Sequence, residues 1–489
     1  MVNGHVFPGP GSGHAIAAPP AFPDPVTRVP EPAPVQLVID HEQVRSLHQS
    51  LADQLSNDPE FTRLSPEDRE QRGRAVINSL VYNWSVRHAQ ATGRQLSDAE
   101  ERAYSDAVFN RAFRHGRLEP LLQDERIENI FVNGGQTWVD PGNGPMVQIG
   151  PLADTDADLI ELVQDLARTN GNSERVLSTA QPLLGLRLGD GSRLQAITHV
   201  TPRPYVTIRR HRTLAITLDD LIRLGAIDSV LAGFLSACVR ARLNVMICGS
   251  QGVGKTSLLR ALIAEIPASE RFATLETEFE LYAHEDNYHT QVLPMEARTG
   301  NGEVVDGRAI GEITLADLIP AALRMSLTRL IVGEVRAAEI LPMLDVMLNS
   351  EGGSMCTLHV RRPEQVFRRI ATLCARYAPG GMGTDLAFEI AADALDIIVH
   401  VRMWDESAIG GSRHRFVSDV LEVTGMGDHG RPATNVIFGP RDPEPRAVPR
   451  IQPSSRLQST LARVGFDVTE LDRQYGAWAK PLQTRTQVV

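Results

Sequence analysis

The chain has 489 residues, room for roughly three domains at about 150 residues each, so several cores can form without a disulfide or metal staple. Lysine plus arginine total 49 and aspartate plus glutamate 60, a net charge of −11 that argues against a protein whose work is coating nucleic acid. No apolar run approaches the roughly 18 residues of a membrane span, and the first residues lack the basic-then-apolar pattern of a secretory signal. Cys238, Cys248, Cys356 and Cys374 form no C-x-x-C pair, which disfavours zinc and disulfide frameworks and fits a reducing cytoplasm.

Residues 1–35 hold nine prolines and four glycines and read as a disordered arm. Val44, Leu47, Leu51 and Leu55 form one stripe of an amphipathic helix. Ser65-Pro66-Glu67-Asp68 and Ser97-Asp98-Ala99-Glu100 each open another, so 36–120 is predicted to be a small helical domain. From Arg126 the period drops to two. A hairpin is expected around Asn133-Gly134-Gly135, then a helix with Leu159, Leu162, Val163 and Leu166 on one face, and a second hairpin at Asp190-Gly191. A strand from Tyr205 to Ile208 runs into Arg209-Arg210-His211-Arg212, closing an α+β domain over 124–212. A linker is predicted at 213–228. Beyond it, a helix at 229–243 and apolar strands at 245–248, 272–275, 330–332, 355–358 and 394–401 alternate with helical stretches, the pattern of an α/β domain over 229–440. Prolines dominate the start of 441–489, leaving a tail with one short helix from Ser455.

Gly249-Ser250-Gln251-Gly252-Val253-Gly254-Lys255-Thr256 fits G-x-x-x-x-G-K-[ST] without a mismatch, between an apolar strand and a helix that leaves through Leu258, Leu259 and Leu262, and with Ser257 it forms the candidate nucleotide-binding stretch. Such glycines let backbone N–H groups converge on phosphates at a helix N-terminus, the lysine reaches the β- and γ-phosphates, and the hydroxyl ligates Mg²⁺. Only two of the 49 basic residues are lysines, Lys255 and Lys480. A lysine kept in so arginine-rich a chain marks a place where a compact ammonium is required. Leu330 to Glu334 is a second strand ending in a carboxylate, suited to hold Mg²⁺ through water or to orient an attacking water. Glu276 is the first acid out of another strand in Leu275-Glu276-Thr277-Glu278-Phe279-Glu280, and His359 ends the strand after Gly352-Gly353. A solvated acidic loop and a structural histidine remain open readings of these last two.

The order of G-S-Q-G-V-G-K-T, L-E-T-E-F-E-L, A-A-L-R-M, L-I-V-G-E-V-R and G-G-S-M-C-T-L-H resembles the secretion ATPases of the type II/type IV superfamily, and within it the TadA/CpaF branch of tight-adherence pilus assembly. The resemblance implies a RecA-like P-loop ATPase domain preceded by a PAS-like α+β domain and a small helical N-terminal domain. It further implies Mg²⁺-dependent ATP hydrolysis, a homohexameric ring, and a cytoplasmic protein held at the membrane through an inner-membrane platform partner, with no nucleic acid. By motif, it places Lys255 and Thr256 on phosphate and Mg²⁺, Glu276 in the Asp box, Glu334 in Walker B and His359 in the His box. Arg209 and Arg210 match the basic stretch near the phosphates, and Arg193, Arg298 and Arg336 are further candidates. The chain departs from the family pattern at Thr277, where Asp is usual, and at Thr328-Arg329, where Asp-Arg is frequent. It also lacks the tetracysteine insert of the type II branch. A conjugative DNA-transfer ATPase and an ATP-binding scaffold with little hydrolysis are the rival readings.

Overall fold

The computed structural model describes residues 39–142, 145–170, 177–210, 216–285, 287–298, 300, 304–305, 308–478 and 481–485. The proline-rich arm, His211, Arg212 and Lys480 lie outside the described residues. The chain divides into two compact units at Glu119. In the first, α1 (His41–Ser56), α2 (Pro66–Thr92) and α3 (Asp98–Phe113) bury Val44, Leu47, Leu51, Ile77, Val81 and Phe109 against one another. Each start is chemically marked: Asp40 caps α1, Ser65 accepts from Asp68 N, and Ser97 and Glu100 form a reciprocal capping box. A short α4 (Glu119–Gln123) follows.

The second unit holds two sheets. β1 (Asn129–Asn133), β2 (Gln136–Asp140), β3 (Val147–Ile149), β4 (Leu183–Arg187), β5 (Arg193–Ile197) and β6 (Tyr205–Arg209) form an antiparallel sheet in the order β3-β2-β1-β6-β5-β4, with α5 (Asp156–Asn170) in the chain between β3 and β4. Alternation does the work here: Ile130, Val132, Leu194, Ala196, Val206 and Ile208 are buried, while the residues between them take the other face. In register on that second face, Asp140, Asn129, Arg209, Arg193 and Arg187 form one row across five strands.

The larger sheet is reached through α6 (Leu218–Arg223) and α7 (Ser229–Arg240). Its elements are β7 (Val245–Gly249), α8 (Lys255–Ile263), β8 (Phe272–Glu276), β9 (Val292–Glu296), the small hairpin β10 (Val304–Val305) and β11 (Arg308–Ala309), α9 (Leu315–Leu323), β12 (Arg329–Val335), α10 (Ile340–Asn349) and β13 (Met355–His359). Then come α11 (Val366–Tyr377), α12 (Thr384–Ala394), β14 (Ile397–Asp405), β15 (Arg413–Met426), β16 (Pro432–Arg441), β17 (Glu444–Pro449) and α13 (Ser455–Ala462). Nine strands run in the order β17-β16-β15-β14-β7-β13-β12-β8-β9, parallel from β14 to β9 and antiparallel beyond β14. Apolar clusters lie on both faces, which is why β7 and β8 read as unbroken apolar runs. The carboxyl ends of β7, β13, β12 and β8 therefore meet at one edge.

Two sequence expectations change. The segment 213–228 is not a plain linker, because Thr217 and Asp220 form a capping box that starts α6, whose Leu218 and Leu221 join the core. The segment after 440 contributes β17 to the large sheet; its Pro445 and Pro449 are tolerated because β17 is an edge strand. The apolar run Val230–Val239 is a core helix, and no helix among the described residues is long and apolar enough to cross a membrane.

At the opposite edge of the parallel strands, the Arg329 side chain is fully buried. It donates to Glu270 Oε2 and Oε1 (2.7 and 2.8 Å) and to Val239 O (2.6 Å), while Thr328 Oγ1 also reaches Glu270 (3.1 Å). Burial opposes the Glu270 carboxylate, yet the Arg329 hydrogen bonds win and hold its pKa below the usual value. Arg329→Ala strips that carboxylate of its two-pronged partner and leaves it only the Thr328 hydroxyl and the longer Arg242 contact (3.4 Å), and should cost about 3 kcal/mol in chemical denaturation. Arg329→Met with Glu270→Leu should lose much less, since no orphaned charge remains.

Candidate functional site

The cleft begins with β7, every residue of which is buried and which is paired on both sides by β13 and β14. Gly249 ends the strand at φ +156°, and a Cβ there would lie 2.4 Å from Val401 O. Only glycine lets the chain turn away so close to its neighbour. Gly254 (φ +99°) caps α8 with no side-chain bond, so the N–H groups of the first turn are left facing the loop. Backbone of this shape is an anion cradle. It lines a cavity of about 730 Å³ together with Gln251, Gly252, Val253, Thr256 and Ser257.

Lys255 is only 7% exposed, and burial lowers its ammonium pKa to about 8. Its Nζ donates to Gly249 O (3.2 Å), Ser250 O (2.8 Å) and His359 Nδ1 (3.1 Å). An ammonium has no acceptor, so Nδ1 must accept and the ring proton sits on Nε2. That nitrogen stands 2.5 Å from Glu334 Oε1, and Arg336 pairs with Glu334 Oε2. Burial would raise the Glu334 carboxyl, but hydrogen bonds from His359 and Arg336 outweigh it and hold the group at about 2.

Glu276, on the next strand, has the opposite character. Its Oε1 accepts from Glu280 N (2.8 Å) and Leu281 N (2.9 Å), while Oε2 is buried with no hydrogen-bond partner among the described residues. Burial pushes its carboxyl up to about 7. Thr256 Oγ1 donates to Glu280 Oε2 (3.2 Å), which leaves the hydroxyl lone pairs for a cation. No group of three or more His, Cys, Asp or Glu side chains suited to a metal occurs among the described residues. The few oxygen donors here fit Mg²⁺, which keeps several waters and takes other ligands from substrate phosphates.

Arg193 and Arg209 of the smaller sheet's row border the same cavity. Arg193 pairs with Glu278 (2.6 Å) and Glu280 (2.8 Å), and Arg187 pairs with Glu296. Arg209 lines the cavity with no side-chain hydrogen bond or carboxylate partner among the described residues. Arg210 lines it too, but donates to the carbonyls of Asp124 and Ile127. The cleft thus gathers Lys255, Thr256, Glu276, Glu334, His359, Arg193, Arg209, Arg210 and Arg336. Arg298 is not among the lining residues; it bonds Gly311 O (2.7 Å).

Sequence reasoning missed three groups. Glu280 was legible only as one acid among several, and its spacing of four from Glu276 was the available signal. Arg413 and Arg415 come from distant β15, where their period-two spacing puts both on one face. They pair with Asp140 (3.3 Å) and Glu128 (3.5 Å) of the smaller sheet's domain. Ile216, Ile227, Phe416 and Val417 make the far end of the cavity apolar.

The family described as Type II/IV secretion system protein matches residues 159–409, just over half of the chain. A Mycobacterium tuberculosis (strain H37Rv) protein named for conjugal transfer is 33% identical over 295 residues, 58% of this chain and 79% of its own. VirB11 of Agrobacterium fabrum is 28% identical over 318 residues, 58% of this chain and 88% of its own. Among solved structures, the VirB11 ATPase of the Brucella suis type IV secretion system in complex with sulphate aligns at 25% identity and a TM-score of 0.33, over 63% of this chain and 93% of that one. The α/β class expected from the sequence holds: a helical unit comes first in the chain, then a six-stranded antiparallel sheet, then a nine-stranded sheet with a parallel core. On the family match, the chain belongs to the type II/IV secretion system proteins.

Proposed function

We propose that this protein hydrolyses ATP with Mg²⁺ to power pilus assembly or secretion through a TadA/CpaF-type system. In this reading it works as a cytoplasmic homohexamer, held at the membrane by an inner-membrane platform protein. The observation that carries the proposal is the meeting, in one cavity, of a phosphate cradle, a buried carboxylate with one oxygen unpartnered among the described residues, and the paired Arg193 and Arg209 of a second sheet.

The roles follow from the electrostatics. Lys255 and the loop N–H groups grip the phosphates, and the apolar end at Ile227 and Phe416 suits the flat ring of a base. Mg²⁺, when bound, neutralises charge on the β- and γ-phosphates. Thr256 would hold it, with Glu334 acting through water. Glu276, at about 7, is poised to take a proton from water, whereas Glu334 at about 2 is too weak a base and serves better as a fixed negative charge. His359 links Glu334 to Lys255 and so couples the two strand ends. Arg209 is placed to meet charge developing on the transferred phosphoryl group, with Arg210 supporting it from the same strand end.

A DNA-transfer motor is the second reading, favoured by the 33% identical protein named for conjugal transfer. DNA that accelerates turnover severalfold would select it over the pilus motor.

Lys255→Ala should abolish measurable hydrolysis, and Lys255→Arg should fail as well, because the planar guanidinium does not fit a site built for a compact ammonium. Near-normal phosphate release by both variants would sink the assignment. In the wild type, kcat/KM should rise with pH through about 7 as Glu276 deprotonates, then fall through about 8 as Lys255 loses its proton. Glu276→Gln should erase the acid limb and slow turnover about 10²- to 10⁴-fold. An acid limb that survives in this variant would assign it to another group. Arg209→Ala should lower kcat by about 10³-fold or more. Arg210→Ala, whose carbonyl contacts hold the strand end, should lower the melting temperature as well as kcat.

A further inference from the structure

Glu280 carries no role in the reading above, yet it is bonded to three other residues of the cavity. Its Oε2 accepts the Thr256 hydroxyl proton (3.2 Å), its Oε1 meets Arg193 Nη1 (2.8 Å), and its backbone N donates to Glu276 Oε1 (2.8 Å). A hydroxyl that lends a lone pair to a cation must direct its proton elsewhere. Glu334, the acid expected beside the metal, makes no hydrogen bond with Thr256 among the described residues; it is occupied by His359 and Arg336. Both oxygens of Glu280 are thus committed, one to the cation's own ligand and one to an arginine of the smaller sheet.

We infer that Glu280 is a positioning residue that orients Thr256 for Mg²⁺ and, through Arg193, links cation binding to the grip between the two sheets. The inference rests on the proposed function and deepens it. Its sign can be worked out. Arg193 partly neutralises Glu280, so removing the guanidinium strengthens the negative potential at Thr256 and favours the cation. A merely structural role for the pair would act the other way, loosening the site.

The test titrates Mg²⁺ against the full-length protein at fixed ADP, which carries no γ-phosphate for other arginines to follow, with ADP affinity in EDTA as the control. Glu280→Ala should raise the Mg²⁺ concentration at half-saturation about tenfold or more, the usual cost of losing a ligand-orienting partner, and leave ADP affinity in EDTA within about twofold. Glu280→Gln keeps an acceptor for the Thr256 proton and should restore most of the Mg²⁺ response. Arg193→Ala should lower the half-saturation by about threefold in the wild-type background, the sign expected from unscreening one nearby charge, and leave it unchanged in Glu280→Ala. Equal shifts of the Mg²⁺ and EDTA affinities in Glu280→Ala would overturn the inference and leave the ATPase reading standing. So would an Arg193 effect of the same size in both backgrounds. A wild type that ignores ADP with and without Mg²⁺ would overturn the ATPase reading and this inference together.

Discussion

The Lys255 ammonium is buried at the end of β7, and the neighbouring strand ends answer to it. Because it can only donate, it fixes the tautomer of His359, which in turn presents its Nε2 proton to Glu334. Glu334 thereby sits in a chain of donors that ends at Arg336, and stays ionised far below neutral pH. One strand over, Glu276 lies against Gly333, where a Cβ would meet its Cγ at 3.1 Å, and has backbone donors on one oxygen and, among the described residues, no partner on the other. Two carboxylates on adjacent strands are driven apart, one to about 2 and one to about 7. Such a split is how one site separates a fixed charge from a proton acceptor.

Most of the parallel core was legible because its inner strands are buried on both faces and so read as apolar runs, and because the P-loop is defined by a local spacing that needs no tertiary context; the edge strand β9, half-buried along its length, gave no such run. Glu276, Glu334 and His359 were legible for a related reason: Glu276 and His359 each end an apolar strand, and Glu334 is the first charged residue after the apolar run Leu330–Val332 of β12. What stayed hidden depends on contacts far apart in the chain. Arg413 and Arg415 sit more than 150 residues after the P-loop, and only the antiparallel return of β15 along β14 carries them to the cavity. β17 was hidden by its prolines, which mark loops far more often than edge strands. α6 was hidden by its length of six residues, although its Thr217 and Asp220 carry a capping signature.

The departure at Thr328-Arg329 also gains a physical account. An arginine with a fully buried side chain must find a carboxylate, and Glu270 supplies it from the chain just ahead of β8, with Thr328 adding a hydroxyl to the same oxygen. This network lies at the edge of the parallel sheet remote from the cavity, so the altered sequence bears on the stability of the sheet rather than on the chemistry of the cleft. Thr277 is different, since it lines the cavity beside Glu276. There the acids that remain, Glu278 and Glu280, face Arg193 instead.

The contacts between the two sheets' domains are weighted toward charge. Arg187, Arg193, Arg413 and Arg415 each meet a carboxylate across the junction, and all are partly exposed. Pairs of that kind contribute about 0–1 kcal/mol each, so the ion pairs together hold the domains by a few kcal/mol at most. A ligand at a hundred times its dissociation constant shifts an equilibrium by about 2.7 kcal/mol, the same order. An extensive apolar joint of equal area would be worth several times more and would not yield to a single bound molecule. The ion pairs of this junction are thus matched in energy to a bound ligand, and they lie beside the residues that would meet one.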